Sequence, residues 1–155
     1  MEMIKYYGKE ILESKNMQKE KTFMQHGNIS VFDHSVAVTI KCLKIAHKLG
    51  IPVDQKTLIR GALLHDYFLY DWHESDKSHR LHGFTHAKKA LLNAEKEYEL
   101  NDIERNMIYC HMFPLNLRIP KFRESIILCI ADKIVATKET LEPYMKLISI
   151  YEKYI

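Results

Sequence analysis

The chain has 155 residues, 46% hydrophobic and 28% charged, with 5 Gly and 4 Pro, which fits one soluble globular domain over 1–155 with a substantial core. Its 23 Lys and Arg against 20 Asp and Glu leave +3, too slight and too dispersed for a surface that binds a nucleic-acid duplex. Cys42, Cys110 and Cys129, odd in number and far apart, exclude a disulfide framework and a paired zinc ribbon; no apolar stretch approaches bilayer length and the start lacks a signal peptide's apolar run, so the reading is a cytoplasmic protein with free thiols and no membrane partner.

Helical periodicity dominates, and no stretch alternates convincingly like a strand. A loosely patterned helical segment runs to about Gln25, broken near Ser14-Lys15-Asn16 and ended by His26-Gly27-Asn28. A second helix is predicted from about Ser30 to Leu49, with Val36, Ile40 and Leu43 on one face, Gly50 as its cap and Pro52 as its stop. Asp54 is the N-cap expected for a third helix that runs through Leu58, Ala62 and Leu64 to His65-Asp66. From Tyr70 to Arg80 the sequence turns polar and loses its period, which predicts a loop over the mouth of a pocket. Gly83 to Tyr98 is the next helix, and Asn101 with Glu104 reads as a capping box for one that reaches about His111. Pro114 and Pro120 bracket an irregular connection; a helix from Phe122 to Thr137 and a separate amphipathic segment from Leu141 to Tyr151 follow. The expectation is an all-α helical bundle of about six to eight helices.

His65-Asp66 stands between the apolar runs Ala62-Leu63-Leu64 and Tyr67-Phe68-Leu69. Burying an imidazole and a carboxylate unpaired costs several kcal/mol, about the scale of a whole side chain's burial, and a divalent metal satisfies both at once. The dipeptide alone has little specificity, but His34, His82, His86, His111 and Asp132 each lie near a predicted helix edge. Histidines and aspartates converging from different helices are how helical proteins build metal sites in their cores. Imidazole with carboxylate suits iron, manganese, cobalt, nickel or zinc, and the lack of clustered cysteines excludes a closed structural zinc. Six donors exceed what one tetrahedral ion needs, so two ions bridged by Asp66 are the natural reading.

These residues resemble the HD superfamily of metal-dependent phosphohydrolases, whose pattern is His…His-Asp…Asp on an all-helical fold. The match is His34 in Phe32-Asp33-His34-Ser35, His65-Asp66 in Gly61-Ala62-Leu63-Leu64-His65-Asp66, and Asp132 in Ile130-Ala131-Asp132-Lys133, and it covers about 26–140. Some branches add two histidines that hold a second metal, one of them opening a helix as His-Gly or His-Pro. Leu81-His82-Gly83 fits that setting, with His86 one turn on as the rival, and Tyr109-Cys110-His111 supplies the other. The resemblance therefore implies a single HD-type bundle with two divalent ions in its core, iron or manganese first and Mg, Co, Ni or Zn as alternatives. Its layout is similar to dinucleoside polyphosphate hydrolases and cyclic-dinucleotide phosphodiesterases of the same superfamily. Where several binuclear members carry a lysine three residues after the Asp, this chain has Leu69, and the Gly-Tyr-Pro signature of the cyclic-di-GMP branch is missing.

The expected activity is hydrolysis of a phosphoester or phosphoanhydride in a nucleotide or other small phosphorylated metabolite. His34, His65 and Asp132 hold the first ion, His82 and His111 the second, and Asp66 bridges them as the central catalytic group. His86 or His79 donates a proton to the leaving group, and Arg80, Lys88 and Lys133 meet the phosphate in place of the missing lysine. Two other classes stay open: a mixed-valent diiron oxygenase on the same scaffold, and a non-catalytic nucleotide- or metal-binding sensor. A homodimer is compatible with the sequence. Tyr70 and Trp72 read as packing or as a nucleobase platform, Met107, Met112 and Met145 as core filler, and His26, His47 and His73 as cap or solvated residues.

Overall fold

The structure, a computed structural model, describes residues 2–70 and 82–151, with the backbone alone at 26, 82 and 142–151. The described residues form α1 (Glu2–Leu12), α2 (Lys15–Lys19), a 3-10 turn (Glu20–Thr22), β1 (Met24–His26), β2 (Ile29–Ser30), α3 (Val31–Lys48), α4 (Gln55–Leu63), α5 (His82–Glu97), α6 (Asp102–Cys110) and α7 (Arg123–Tyr151). Seven helices and two very short strands make the architecture all-α, as the periodicity predicts.

Helix starts follow the side chains that satisfy their orphan N–H groups. Ser14 accepts from the amide of Met17, Ser30 from Asp33 and Asp54 from Thr57. Asn101 and Glu104 make the reciprocal capping box at α6. Gly50, at φ +62, lets the chain leave α3 in the left-handed region.

Three boundaries differ from expectation. The segment before α3 is not helical to Gln25: β1 pairs antiparallel with β2 around a turn with Gly27 at φ +57. Gly-Asn serves a tight hairpin as well as a helix end, and strands of three and two residues are too short to show alternation. Helix α4 stops at Leu63, so His65 and Asp66 occupy the turn beyond it rather than the helix. The two C-terminal segments are one helix, α7, which continues through Pro143. That proline removes a single backbone donor, and its neighbours Glu142, Met145, Lys146 and Leu147 are good helix formers.

Helix α4 is the axis of the molecule. Thr57 through Leu63 are all buried, as a helix enclosed by others requires. Ile59 and Leu63 face Ile4 and Ile11 of α1, with Ala90 and Ala94 of α5 in the same cluster. Leu58 and Ala62 face the other way, toward Val38 and Cys42 of α3, Met107 of α6, and Ile127, Leu128 and Ala131 of α7. Gly61 lets α6 come close: a Cβ there would lie 2.6 Å from Met107 Sδ. The end of this enclosed helix delivers His65-Asp66 to the centre of the bundle. Cys42, Cys110 and Cys129 are buried and form no disulfide.

Candidate metal centre

Five elements meet at Asp66. His34 comes from the first turn of α3, His65 and Asp66 from the turn after α4, His86 from α5, His111 from the residue that closes α6, and Asp132 from α7. All six are buried. His34 Nε2 lies 3.2 Å from Asp132 Oδ1 and 3.8 Å from Asp66 Oδ2. His65 Nε2 lies 3.5 Å from Asp66 Oδ2 and 3.8 Å from Asp132 Oδ1. On the other edge of the carboxylate, His86 Nε2 and His111 Nε2 are each 3.3 Å from Asp66 Oδ1. Two triads therefore share Asp66, one with His34 and His65, the other with His86 and His111, their donor atoms within 4.8 Å of one another in each.

The backbone and neighbouring side chains aim these rings. His65 Nδ1 meets the carbonyl of Ala62 at 2.7 Å, and His111 Nδ1 meets that of Ile108 at 2.8 Å. A carbonyl only accepts, so Nδ1 carries the proton in both, and the Nε2 lone pair is left facing the centre. His34 sits inside its helix and uses a side chain instead: its Nδ1 donates to Glu139 Oε2 at 2.8 Å. Burial opposes charge on His34, but the carboxylates of Asp132 and Glu139 outweigh it and raise its pKa to about 10. Burial likewise works against the Asp66 carboxylate, and His65, His111 and His86 nevertheless pull it well below the usual carboxylate range. Asp132 is drawn down in the same way by His34 and His65. Burial lowers His111, with Asp66 opposing it.

Two features of this centre call for a cation. His65 Nε2 and Asp66 Oδ1 are buried without a hydrogen-bond partner, a cost of about 1–3 kcal/mol each if nothing compensates it. His86 Nε2 and His111 Nε2 face each other at 2.8 Å, which leaves one nitrogen as acceptor only if the other keeps a proton. Imidazole nitrogens and carboxylate oxygens are the donor set of iron, manganese, cobalt, nickel and zinc. The residues present fit a metal.

The other expectations divide. His79, Arg80, Trp72 and His73 lie outside the described residues, as does the side chain of His82, whose backbone opens α5. Among the described side chains of α5 it is His86 that reaches Asp66 and His111. Lys133 Nζ is hydrogen-bonded to the carbonyls of His111 at 3.1 Å and Cys129 at 3.4 Å, on the wall of a cavity of about 450 Å³ beside the cluster. Lys88 does not face that cavity. It is exposed two residues beyond His86, about 200° round the helix, so its amine points to the opposite side. Leu69 packs into the core with φ +62, a strained value for a leucine. Tyr70 packs on Phe68 with ring centroids 5.0 Å apart and carries Lys89 over its ring at 4.4 Å. Met107 is core, as expected, but Met112 lines the cavity.

Two residues of the centre go unnoticed in the sequence. Gln25, buried in the hairpin, donates from Nε2 to Asp66 Oδ2 at 2.6 Å. It sits at the irregularity of the β1–β2 pairing, which is how a bulge re-aims a side chain. Glu139 follows Asp132 by seven residues, two helical turns on the same face, and that spacing is the signal that could have found it.

The family model for the HD domain matches residues 31–137. The chain belongs to the HD domain family. HD domains form a superfamily of metal-dependent phosphohydrolases, and the buried His/Asp cluster of this HD domain fits a metal site. No curated protein and no solved structure matches the chain. Among the described residues of this HD domain, no helix is long and apolar enough to cross a membrane.

Proposed function

We propose that this HD domain is a hydrolase that cleaves a phosphoester or phosphoanhydride bond in a nucleotide or other small phosphorylated metabolite of the cytoplasm. One observation carries the reading: Asp66 directs Oδ2 to His34 and His65 and Oδ1 to His86 and His111, the donor arrangement two divalent cations sharing a carboxylate require. His34, His65 and Asp132 would hold one ion, and His86 with His111 the other, iron and manganese being first choices for this donor set. When bound, such ions supply Lewis acidity toward phosphoryl oxygens and make a coordinated water acidic enough to react near neutral pH.

The chain's own groups do the rest. The carbonyls of Ala62 and Ile108 hold His65 and His111 in one tautomer, so ligation costs no ring rotation. Gln25 holds Asp66 Oδ2 from the hairpin side and fixes the plane of the carboxylate. Lys133 spends two of its three ammonium donors on carbonyls and has a third for a phosphate oxygen, the task that the resemblance gives to a lysine where this chain has Leu69. The contacts of His86 with Asp66 and His111 favour a ligand over a proton donor. Arg80 keeps the phosphate-binding role that the sequence gives it.

The test is elemental analysis of purified protein, followed by a phosphate-release screen over nucleotides, dinucleoside polyphosphates and sugar phosphates with added manganese or iron. Asp66→Ala is expected to lose most of its bound metal and about 100-fold or more of any activity, since a bridging ligand acts on both ions. Full activity with full metal content in that variant contradicts the assignment.

A further inference from the structure

We infer that Asn93 is a positioning residue: it fixes helix α5 in register against the turn carrying Asp66, and so sets the reach of His86 to the second ion. The inference rests on the two-ion reading above and adds to it a residue outside the cluster itself.

The spacing of His86, Ala90, Asn93 and Glu97 lines them along one edge of α5. That edge runs beside the turn after α4. His86 Nε2 lies 3.3 Å from Asp66 Oδ1 at one end, and Glu97 Oε2 accepts from the Tyr67 hydroxyl at 2.9 Å at the other. Ala90 shares a core cluster with Tyr67. Between them, Asn93 Nδ2 donates to the carbonyl of Tyr67 at 3.2 Å and to that of Phe68 at 3.1 Å. Carbonyls only accept, so the amide presents its nitrogen here, and both of its hydrogens are committed.

Those two carbonyls need a donor from another element. Past Asp66 the chain has left the helix: the Phe68 amide bonds the Asp66 carbonyl at 2.8 Å, and Leu69 sits at φ +62. No amide four residues on receives the carbonyls of Tyr67 and Phe68, and both residues are buried. Asn93 satisfies the pair from α5. The rest of the centre is fastened without that helix. The Ala62 carbonyl holds His65, Gln25 holds Asp66 Oδ2, Glu139 holds His34, and the Ile108 carbonyl holds His111. Removing the Asn93 donor therefore frees α5 to slide along the turn, and the ligand that moves with it is His86. The ion shared by His86 and His111 feels that loss, while the one held by His34, His65 and Asp132 does not.

The experiment titrates the full chain, stripped of metal, with Mn²⁺ and follows the free ion by electron paramagnetic resonance. It compares the parent with Asn93→Ala, Asn93→Asp and Asn93→Gln, and takes His86→Ala as the reference that lacks a ligand of the second ion. Melting curves show which variants fold. The parent is expected to bind two ions per chain in separable steps. Asn93→Ala and the near-isosteric Asn93→Asp, whose ionised carboxylate has no N–H to give, should weaken the step that His86→Ala weakens by about 10- to 100-fold and leave the other unchanged. Asn93→Gln keeps the amide donors and should fall between them and the parent. An asparagine that only braced the fold would lower Tm without splitting the two steps. Both steps unweakened in the folded variants, or both weakened alike, overturn the role of Asn93 and leave the hydrolase reading standing. A parent that binds a single ion overturns this inference and the two-ion arrangement together, and the phosphate-release screen above then judges the hydrolase reading by itself.

Discussion

Asp132 and Glu139 hold one imidazole from its two edges, 3.2 Å from Nε2 and 2.8 Å from Nδ1 of His34. Only Asp132 shares the metal-facing side, so Glu139 is a positioning residue: it fixes the ring and makes its nitrogen more basic. Glu139→Ala is expected to weaken metal binding by about 10- to 100-fold in competition with a chromogenic chelator, with Glu139→Gln between it and the parent because an amide oxygen still accepts. Undiminished affinity in the alanine variant contradicts that role. Glu20 is the opposite case, a fully buried carboxyl with no partner on either oxygen. Burial, then the nearby charges of Asp66 and Glu97, raise its pKa well above the ordinary value. A raised folded pKa means that the folded state binds the proton more tightly, so this residue costs stability as pH rises from about 4.3, the unfolded glutamate value, through its folded value. Glu20→Met should therefore be more stable than the parent at pH 7, by about 1–3 kcal/mol in urea titrations, with a smaller gain near pH 4. His34, His65, Asp66, His111 and Asp132 were legible as candidate ligands because a His-Asp pair amid leucines has no cheap alternative partner, whereas His86 stood only as the rival of His82. Gln25 was not, since a glutamine in a short polar stretch acquires meaning only from what lies 41 residues away, and Glu139 shows locally no more than its seven-residue spacing from Asp132, its partner His34 lying 105 residues away.

At the scale of elements, the close approach of α4 and α6 places the turn carrying Asp66 against the histidine that closes α6. Gly61 permits it, and a β-branched side chain there would strike Met107, whose Sδ and Cβ lie 2.6 and 3.3 Å from the first added carbon. Met107 can swing its tip for a methyl group but not for two further carbons. Gly61→Val is expected to cost about 1–3 kcal/mol, read as a lower urea midpoint, with Gly61→Ala markedly milder. Equal effects from the two would show that α6 yields as a whole. Helix starts were readable because a cap is one side chain meeting an amide three residues on, as at Ser30, Asp54 and Asn101. Helix ends were less so: nothing local tells that α4 stops at Leu63 or that α7 persists past Pro143, because surrounding helices decide both.

Across the whole molecule, the cluster gathers groups from α3, the turn after α4, α5, α6 and α7, so any ion bound there ties the bundle together. A ligand that binds only the folded state at about 100 times its Kd adds about 2.7 kcal/mol, or about 5–10 °C in Tm for a domain of this size. Exhaustive chelation should lower Tm by that amount, and Asp66→Ala should show no chelator-dependent shift; a parent protein indifferent to chelation contradicts the cross-linking role.

His65 and His111 each stand just beyond a helix and spend Nδ1 on the last free carbonyls of that helix, three residues back. The stopping point of the spiral and the aim of the ligand are thus one event. If the final turn of α4 or α6 frays, the imidazole loses its tether and swings away; if an ion grips the imidazole, the frayed end is pulled shut. Occupancy at the centre and the length of two helices are therefore coupled quantities, and each can be read from the other.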